Sequence, residues 1–215
     1  MRPAGASTAV SARRLSRDER KAETRTALLD AAGRVFARRG YHAAAVDEVA
    51  EEAGFSTGAL YSNFDGKEDL FLALLQREIG RQVDEVSAVV ADRETLDERA
   101  RGGAEYWIEF LDREPELVLL FMEFWAFAVR NPEVRLRFAA RYAEVRSALA
   151  RIIDQGAREL GVELARPPEH LAMAIDALAD GFALQKLADP DSVPDELFGD
   201  ALAMLLEGAR RRPPG

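Results

Sequence analysis

Three times in this chain a short polar residue stands three positions before a glutamate, at the head of a run with helical periodicity: Ser16-x-x-Glu19, Asp65-x-x-Glu68 and Thr95-x-x-Glu98. Each is a capping-box signature, in which two side chains satisfy the orphan amides of a helix start. Behind the first, Leu28, Ala31, Ala32, Val35 and Phe36 recur at the i, i+3, i+4, i+7, i+8 spacing of one buried helix face. Gly40 is expected to end that helix, with Arg38 and Arg39 in its last turn. Further starts fall at Pro115, Asn131-Pro132, Pro167-Pro168 and Ser192 with Pro194, since proline loses nothing in a first helical turn. No run of alternating β-branched residues and no hairpin dipeptide occurs. The expectation is an all-α fold of about nine helices.

Two short helices interrupt the long ones. Val46–Ala53 places Val46, Val49 and Ala50 on one face, Gly54-Phe55-Ser56 breaks it, and Ser56 caps a second helix expected over Thr57–Phe64. Helix, glycine-containing turn, helix is the grammar of a helix-turn-helix, whose second helix enters the DNA major groove. That second helix, Thr57-Gly58-Ala59-Leu60-Tyr61-Ser62-Asn63-Phe64, has small and hydrogen-bonding residues where a core helix would carry aliphatic bulk.

Charge supports the same reading once it is localised. The chain carries −9 overall, but residues 1–45 hold ten Lys+Arg against four acids, a net of +6, which leaves −15 on the rest. A basic end on an acidic body suits an anionic polymer at one face only. Lys67 sits in a first helical turn, where the helix dipole disfavours a cation, and a phosphate would account for it.

Gly40-Tyr41, Val46 through Phe64, and Lys67-Glu68-Asp69-Leu70 together resemble the DNA-binding signature of the TetR family of transcriptional regulators, over about residues 20–75. The resemblance implies a homodimeric repressor whose recognition helices enter successive major grooves of a near-palindromic operator. Position by position it implies phosphate contacts from Thr57, Tyr61 and Lys67, close backbone approach at Gly58, and base or backbone contacts from Ser62 and Asn63. Thr24 or Arg25 is a further candidate for phosphate. One departure stands out: Ala43-Ala44-Ala45 precede Val46, where the family usually has a capping Thr or Ser.

The organisation expected is a disordered basic arm at 1–15, a helix-turn-helix domain at 16–66, a helical effector-binding and dimerisation domain at 67–210, and a flexible tail at 211–215. Trp107, Phe110, Phe121, Phe124, Trp125, Phe138 and Tyr142 form an aromatic concentration, read either as packed core or as walls of a pocket for an apolar or aromatic effector. Asp176 and Asp180, four apart on one helix face, read first as solvated surface and second as ligand contacts. By the family resemblance, the last two helices would pair with a second copy through Leu171, Ala174, Leu178, Phe182, Leu202, Leu205 and Leu206.

Other chemistry finds little support. No apolar stretch is longer than the six residues of Leu117–Met122, far short of the roughly 20 residues that cross a bilayer. No secretory signal is evident, and a cytoplasmic protein is expected. There are no cysteines and two histidines, so neither a disulfide framework nor a metal site is expected. No nucleophile triad, phosphate loop or HExxH spacing appears, and neither catalysis nor a cofactor is expected. The competing reading is a sequence-independent architectural DNA-binding protein.

Overall fold

A computed structural model describes residues 16–211. The expected arm at 1–15 and residues 212–215 of the expected tail lie outside the described residues. Nine α-helices follow in order: α1 (Arg17–Ala43), α2 (Val46–Glu52), α3 (Thr57–Tyr61), α4 (Lys67–Ala91), α5 (Leu96–Arg113), α6 (Pro115–Arg130), α7 (Pro132–Glu159), α8 (Pro168–Ala188) and α9 (Asp195–Gly208). The described residues contain no strand, only an isolated antiparallel bridge between Leu164 and Arg210. Arg211 donates its backbone N–H to Glu163 at 2.8 Å, so the first residue of the expected tail is held. No helix among the described residues is long and apolar enough to cross a membrane.

The capping boxes at Ser16 and Thr95 form as the sequence indicates. The one at Asp65 does not. Gly66, at φ 131°, is the N-cap residue of α4, and the Asp65 N–H donates to Asp69 Oδ2 at 3.2 Å. Asn131 likewise makes no cap bond, because its Nδ2 donates to the Phe127 carbonyl at 2.6 Å. Ser192 is spent on the Asp189 carbonyl within a 3-10 turn, and α9 starts after Pro194.

Two cores organise the helices. The first gathers Leu28, Val35, Phe36, Tyr41, Val49, Leu60, Phe64, Leu70 and Phe71 with Phe124 of α6 and Phe138 of α7. It therefore runs across residue 66 without a break. Phe124 stacks on Phe71 at 4.2 Å and meets Tyr41 edge-on at 4.8 Å. The second core joins α5, α8 and α9 through Ile108, Phe110, Leu111, Leu171, Ala183, Phe198 and Leu202.

Gly40 does not end α1 cleanly but kinks it, at φ 73°, and the chain continues helically to Ala43. The kink frees the N–H groups of Tyr41 and His42, and both donate to the carboxylate of Glu123, at 2.8 and 3.1 Å. Lys67 closes the joint by donating to the His42 carbonyl at 2.9 Å, with its ammonium 4.9 Å from the centre of the Tyr41 ring. A Cβ at Gly40 would lie 2.8 Å from Glu123 Oε2. Gly40→Ala is accordingly expected to lower stability by about 1–3 kcal/mol, the usual size of a strained backbone position. At this chain length that is a fall of about 2–12 °C in Tm, and an unchanged melting curve by calorimetry would refute the constraint.

Candidate nucleic-acid interface and pocket

The turn between α2 and α3 is held by Gly54, at φ 74°, and by the Phe55 N–H donating to the Ala50 carbonyl at 2.9 Å. Ser56 caps α3, its Oγ accepting from Ala59 N–H at 3.2 Å. Leu60 and Phe64 bury completely and fix α3 against the first core. Helix α3 stops at Tyr61 rather than Phe64. Ser62 Oγ and Asn63 Nδ2 both donate to the Ala59 carbonyl, at 2.7 and 2.8 Å, and compete with the backbone for it. The missing cap before α2 is confirmed: Ala45 makes no side-chain bond there.

The eight residues singled out for DNA divide by geometry. Tyr61 is 54% exposed, and Gly58 and Ser62 lie open beside it. Thr57 is half-buried and donates from Oγ1 to Asp47 at 3.0 Å. Asn63 turns inward, its Oδ1 buried with no partner. Arg25 donates to the Asn63 carbonyl at 2.7 Å and stacks over Phe64 at 4.2 Å. Thr24 bonds back to the Arg20 carbonyl at 2.9 Å. Lys67 needs no phosphate to explain its place, since the His42 carbonyl and the Tyr41 ring hold it. Exposed Phe55 and Ser56, in the turn, adjoin this surface and were not singled out as contacts from the sequence.

The basic charge is rearranged as well. Arg34 and Arg38 both pair with Glu52, at 2.8 and 2.9 Å, and Arg39 with Glu48 at 3.2 Å. These bonds hold the Glu52 carboxyl below its ordinary value. The second half of α1 is thus neutralised by α2, whereas Arg17 and Lys21 at its start stay exposed. Replacing Glu48 and Glu52 by alanine should strengthen binding to random duplex DNA by about 2–10-fold and steepen its salt dependence, because each cation that reaches a phosphate adds about 0.9 to the logarithmic slope. An unaltered salt series would show that these arginines face away from DNA.

A cavity of about 280 Å³ lies among α4, α5, α6, α7, α8 and α9. Of the seven expected aromatics, Trp107, Phe110, Phe121 and Tyr142 line it. Phe124 and Phe138 do not; they are buried in the first core, 5.7 Å apart. Trp125 is 46% exposed on the outside of α6. Asp176 and Asp180 overturn the solvated reading: both line the cavity, and Tyr142 Oη donates to Asp180 at 2.7 Å. Sequence held a signal for this. Asp176 and Asp180 continue the stripe of fully buried Ala172 and Ala183 at helical spacing.

Burial, then repulsion from Asp180, pushes the Asp176 carboxyl up to about 6, and burial also raises Asp180 and Tyr142. An unfolded aspartate titrates near 3.9, so the folded chain binds more protons between about pH 4 and 6, and stability falls as pH rises through that window. Asp176→Asn should therefore raise Tm at pH 7.5 and change it little at pH 4. A variant equally shifted at both pH values would contradict the burial of this charge.

The residues expected at a dimer contact also divide. Leu171, Leu202 and Leu206 are buried within their own chain, in the second core, where α9 packs on α5 and Leu171 of α8 joins them. Ala174, Leu178, Phe182 and Leu205 are half-buried, with Phe182 against Phe198 at 5.1 Å. Exposed apolar surface on these two helices comes from Met173 and Leu184 of α8 and from Met204 of α9, together with Leu197, which the sequence also offered as part of the apolar surface of the last two helices.

Comparison with known proteins agrees with this architecture. Residues 28–74 match the model for bacterial regulatory proteins of the tetR family, and residues 96–210 that for the C-terminal part of BetI-type transcriptional repressors. The chain is 30% identical over 202 residues to the transcriptional repressor AcnR of Corynebacterium efficiens, covering 91% of this chain and 96% of that protein. It is 38% identical over 122 residues to the transcriptional activator FasR of Mycolicibacterium smegmatis, an alignment spanning 57% of this chain and about half, 53%, of that protein. Two solved structures share the fold at TM-score 0.66: FadR of Bacillus subtilis in complex with stearoyl-CoA (19% identity, 85% of this chain, 98% of that one) and a regulator from Saccharomonospora viridis in complex with choline (24%, 89% and 100%).

Proposed function

We propose, from the premise that this chain belongs to the TetR family of DNA-binding transcriptional regulators, that it is a homodimeric, sequence-specific repressor released from its operator by a small, largely apolar effector. The single observation that carries the reading is the outward face of α3. Gly58, Tyr61 and Ser62 lie open on a helix whose other side is pinned by Leu60 and Phe64. Thr57 and Tyr61 hold phosphates, Gly58 lets the backbone approach, and Ser62 reaches base edges. Thr24, with Arg17 and Lys21, adds phosphate contacts from the start of α1. Arg25, Asn63 and Lys67 act chiefly by holding α3 and α4 in place, and Lys67 meets a phosphate only by sharing its ammonium with the His42 carbonyl.

The partner that suits Met173, Leu184, Leu197 and Met204 is a second copy, since a two-fold axis places the same apolar stripe on both sides of the contact. The dimer then sets its recognition helices about 34–36 Å apart. Residues 16–66 form the DNA-binding part and 67–210 the effector-binding and dimerisation part, of a protein working in the cytoplasm. Glu123 supplies the link between them, because α6 carries Phe121 at the cavity and, two residues on, the carboxylate that grips α1. Repression is favoured by the full-length likeness to AcnR; likeness to FasR keeps activation as the opposite sign of the same mechanism.

Fluorescence anisotropy with labelled DNA from upstream of the chain's own gene, against a scrambled duplex, tests the reading across a salt series. The native fragment should bind at least tenfold tighter, and Tyr61→Ala should remove most of that preference. Equal affinity for both duplexes would instead favour the sequence-independent architectural protein.

A further inference from the structure

We propose that the cavity takes a cationic effector, an amine or quaternary ammonium on an apolar body, with its positive head held between Asp176, Asp180 and the rings of Trp107 and Tyr142. This names the effector class of the regulator proposed above and rests on that reading. Solved relatives hold ligands as unlike as stearoyl-CoA and choline, so the fold leaves the choice to each chain's own pocket walls.

Those walls carry two unbalanced charges, Asp176 and Asp180. Among the other ionised residues lining the cavity, Arg99 pairs with Glu159 at 2.9 Å, and Glu78 pairs with Arg77 and Arg81, each at 3.1 Å. Neither Asp176 nor Asp180 forms an ion pair with a described Lys, Arg or His. The guanidinium of Arg146, which acts on Asp176 from a distance, sits over the Tyr142 ring at 4.8 Å instead. Tyr142 gives Asp180 a hydrogen bond, which neutralises no charge.

Aromatic rings frame the same spot. Trp107 Nε1 donates to the Ala179 carbonyl at 3.4 Å, on the turn of α8 between the two carboxylates, and Phe110 stacks on the indole at 5.4 Å. Phe121 stacks on Tyr142 at 6.0 Å. Carboxylates with aromatic faces in a desolvated pocket are what an organic cation binds best, by ion pairing and by cation–π attraction. An anionic head would meet two like charges there, and a neutral one would leave them unbalanced. Leu75, Ile79, Leu117 and Leu149 offer apolar wall for the remainder of the molecule.

The test uses the full chain with Trp125→Phe, which leaves Trp107 as the one tryptophan. Its quenching is titrated with benzyltrimethylammonium, with the neutral isostere neopentylbenzene, and with 3-phenylpropanoate. The cation should bind at least tenfold tighter than either of the others. Asp176→Asn with Asp180→Asn should erase that preference while the neutral isostere keeps its affinity within about twofold. Equal or tighter binding of the neutral or anionic probe, a preference surviving loss of both carboxylates, or no quenching by any of the three would overturn the proposal. Operator anisotropy in parallel separates it from the reading beneath. Release by a neutral or anionic compound alone keeps the regulator and removes the cationic effector. Quenching by the cation without release of bound DNA keeps the cation site and removes its role as effector.

Discussion

One carboxylate ties this molecule together. At its kink, α1 turns two backbone N–H groups away from its own axis, and a buried-edge amide left without an acceptor is expensive. Glu123 of α6 accepts from both. Because Gly40 must take a positive φ to present them, the kink, the acceptor and the absence of a Cβ form a single constraint. Lys67 then finds a carbonyl at the same joint, which places a cation at the start of α4 despite the helix dipole. The position of α4 relative to α1, and with it the pose of α3, depends on these bonds and on the ring stack Tyr41–Phe124–Phe71.

Much of this was legible in the sequence where one principle acts alone. Helical periodicity and proline starts located all nine helices among the described residues, and the Ser16 and Thr95 boxes located two starts to the residue. Errors fall where a polar side chain had more than one partner on offer. Asp65 and Asn131 look like caps by type, yet each segment found a different bond nearby. Tertiary partners are invisible to spacing. Nothing within ten residues of Lys67 or Glu123 foretells that they meet at the end of α1.

Hydropathy misled in a more specific way at Asp176 and Asp180. A carboxylate is counted as solvent-facing by default, which holds because burying an unpaired one is unfavourable. The alanines at 172 and 183 said otherwise, since they share one face with Asp176 and Asp180, at i, i+4, i+8 and i+11, and small residues at both ends of that stripe mark a face that approaches another helix. The same distinction explains the aromatics. Phe121 and Phe124 are three residues apart on α6, and that rotation sends one to the cavity and the other into the first core. Sequence gave both the same label; only the arrangement of helices around α6 separates wall from filling.

The buried carboxylates also bear on how a signal could travel. Charges held in a desolvated pocket without counter-ions raise the energy of the ligand-free fold, and a ligand that balances them lowers it. A ligand shifts a conformational equilibrium only by its difference in affinity between the two states. Simple filling of an apolar cavity gives little difference if both states keep the cavity. Charge balance is more discriminating, because Coulomb attraction in a low dielectric changes steeply with distance and with hydration. A small movement of α8 against α5 and α7 would separate Asp180 from Tyr142 and Ala179 from Trp107. The helix that shares those walls, α6, also carries the Glu123 grip on α1. An electrostatic preference at one end of the molecule is thereby connected, through a single rigid helix, to the joint that sets the DNA-facing surface.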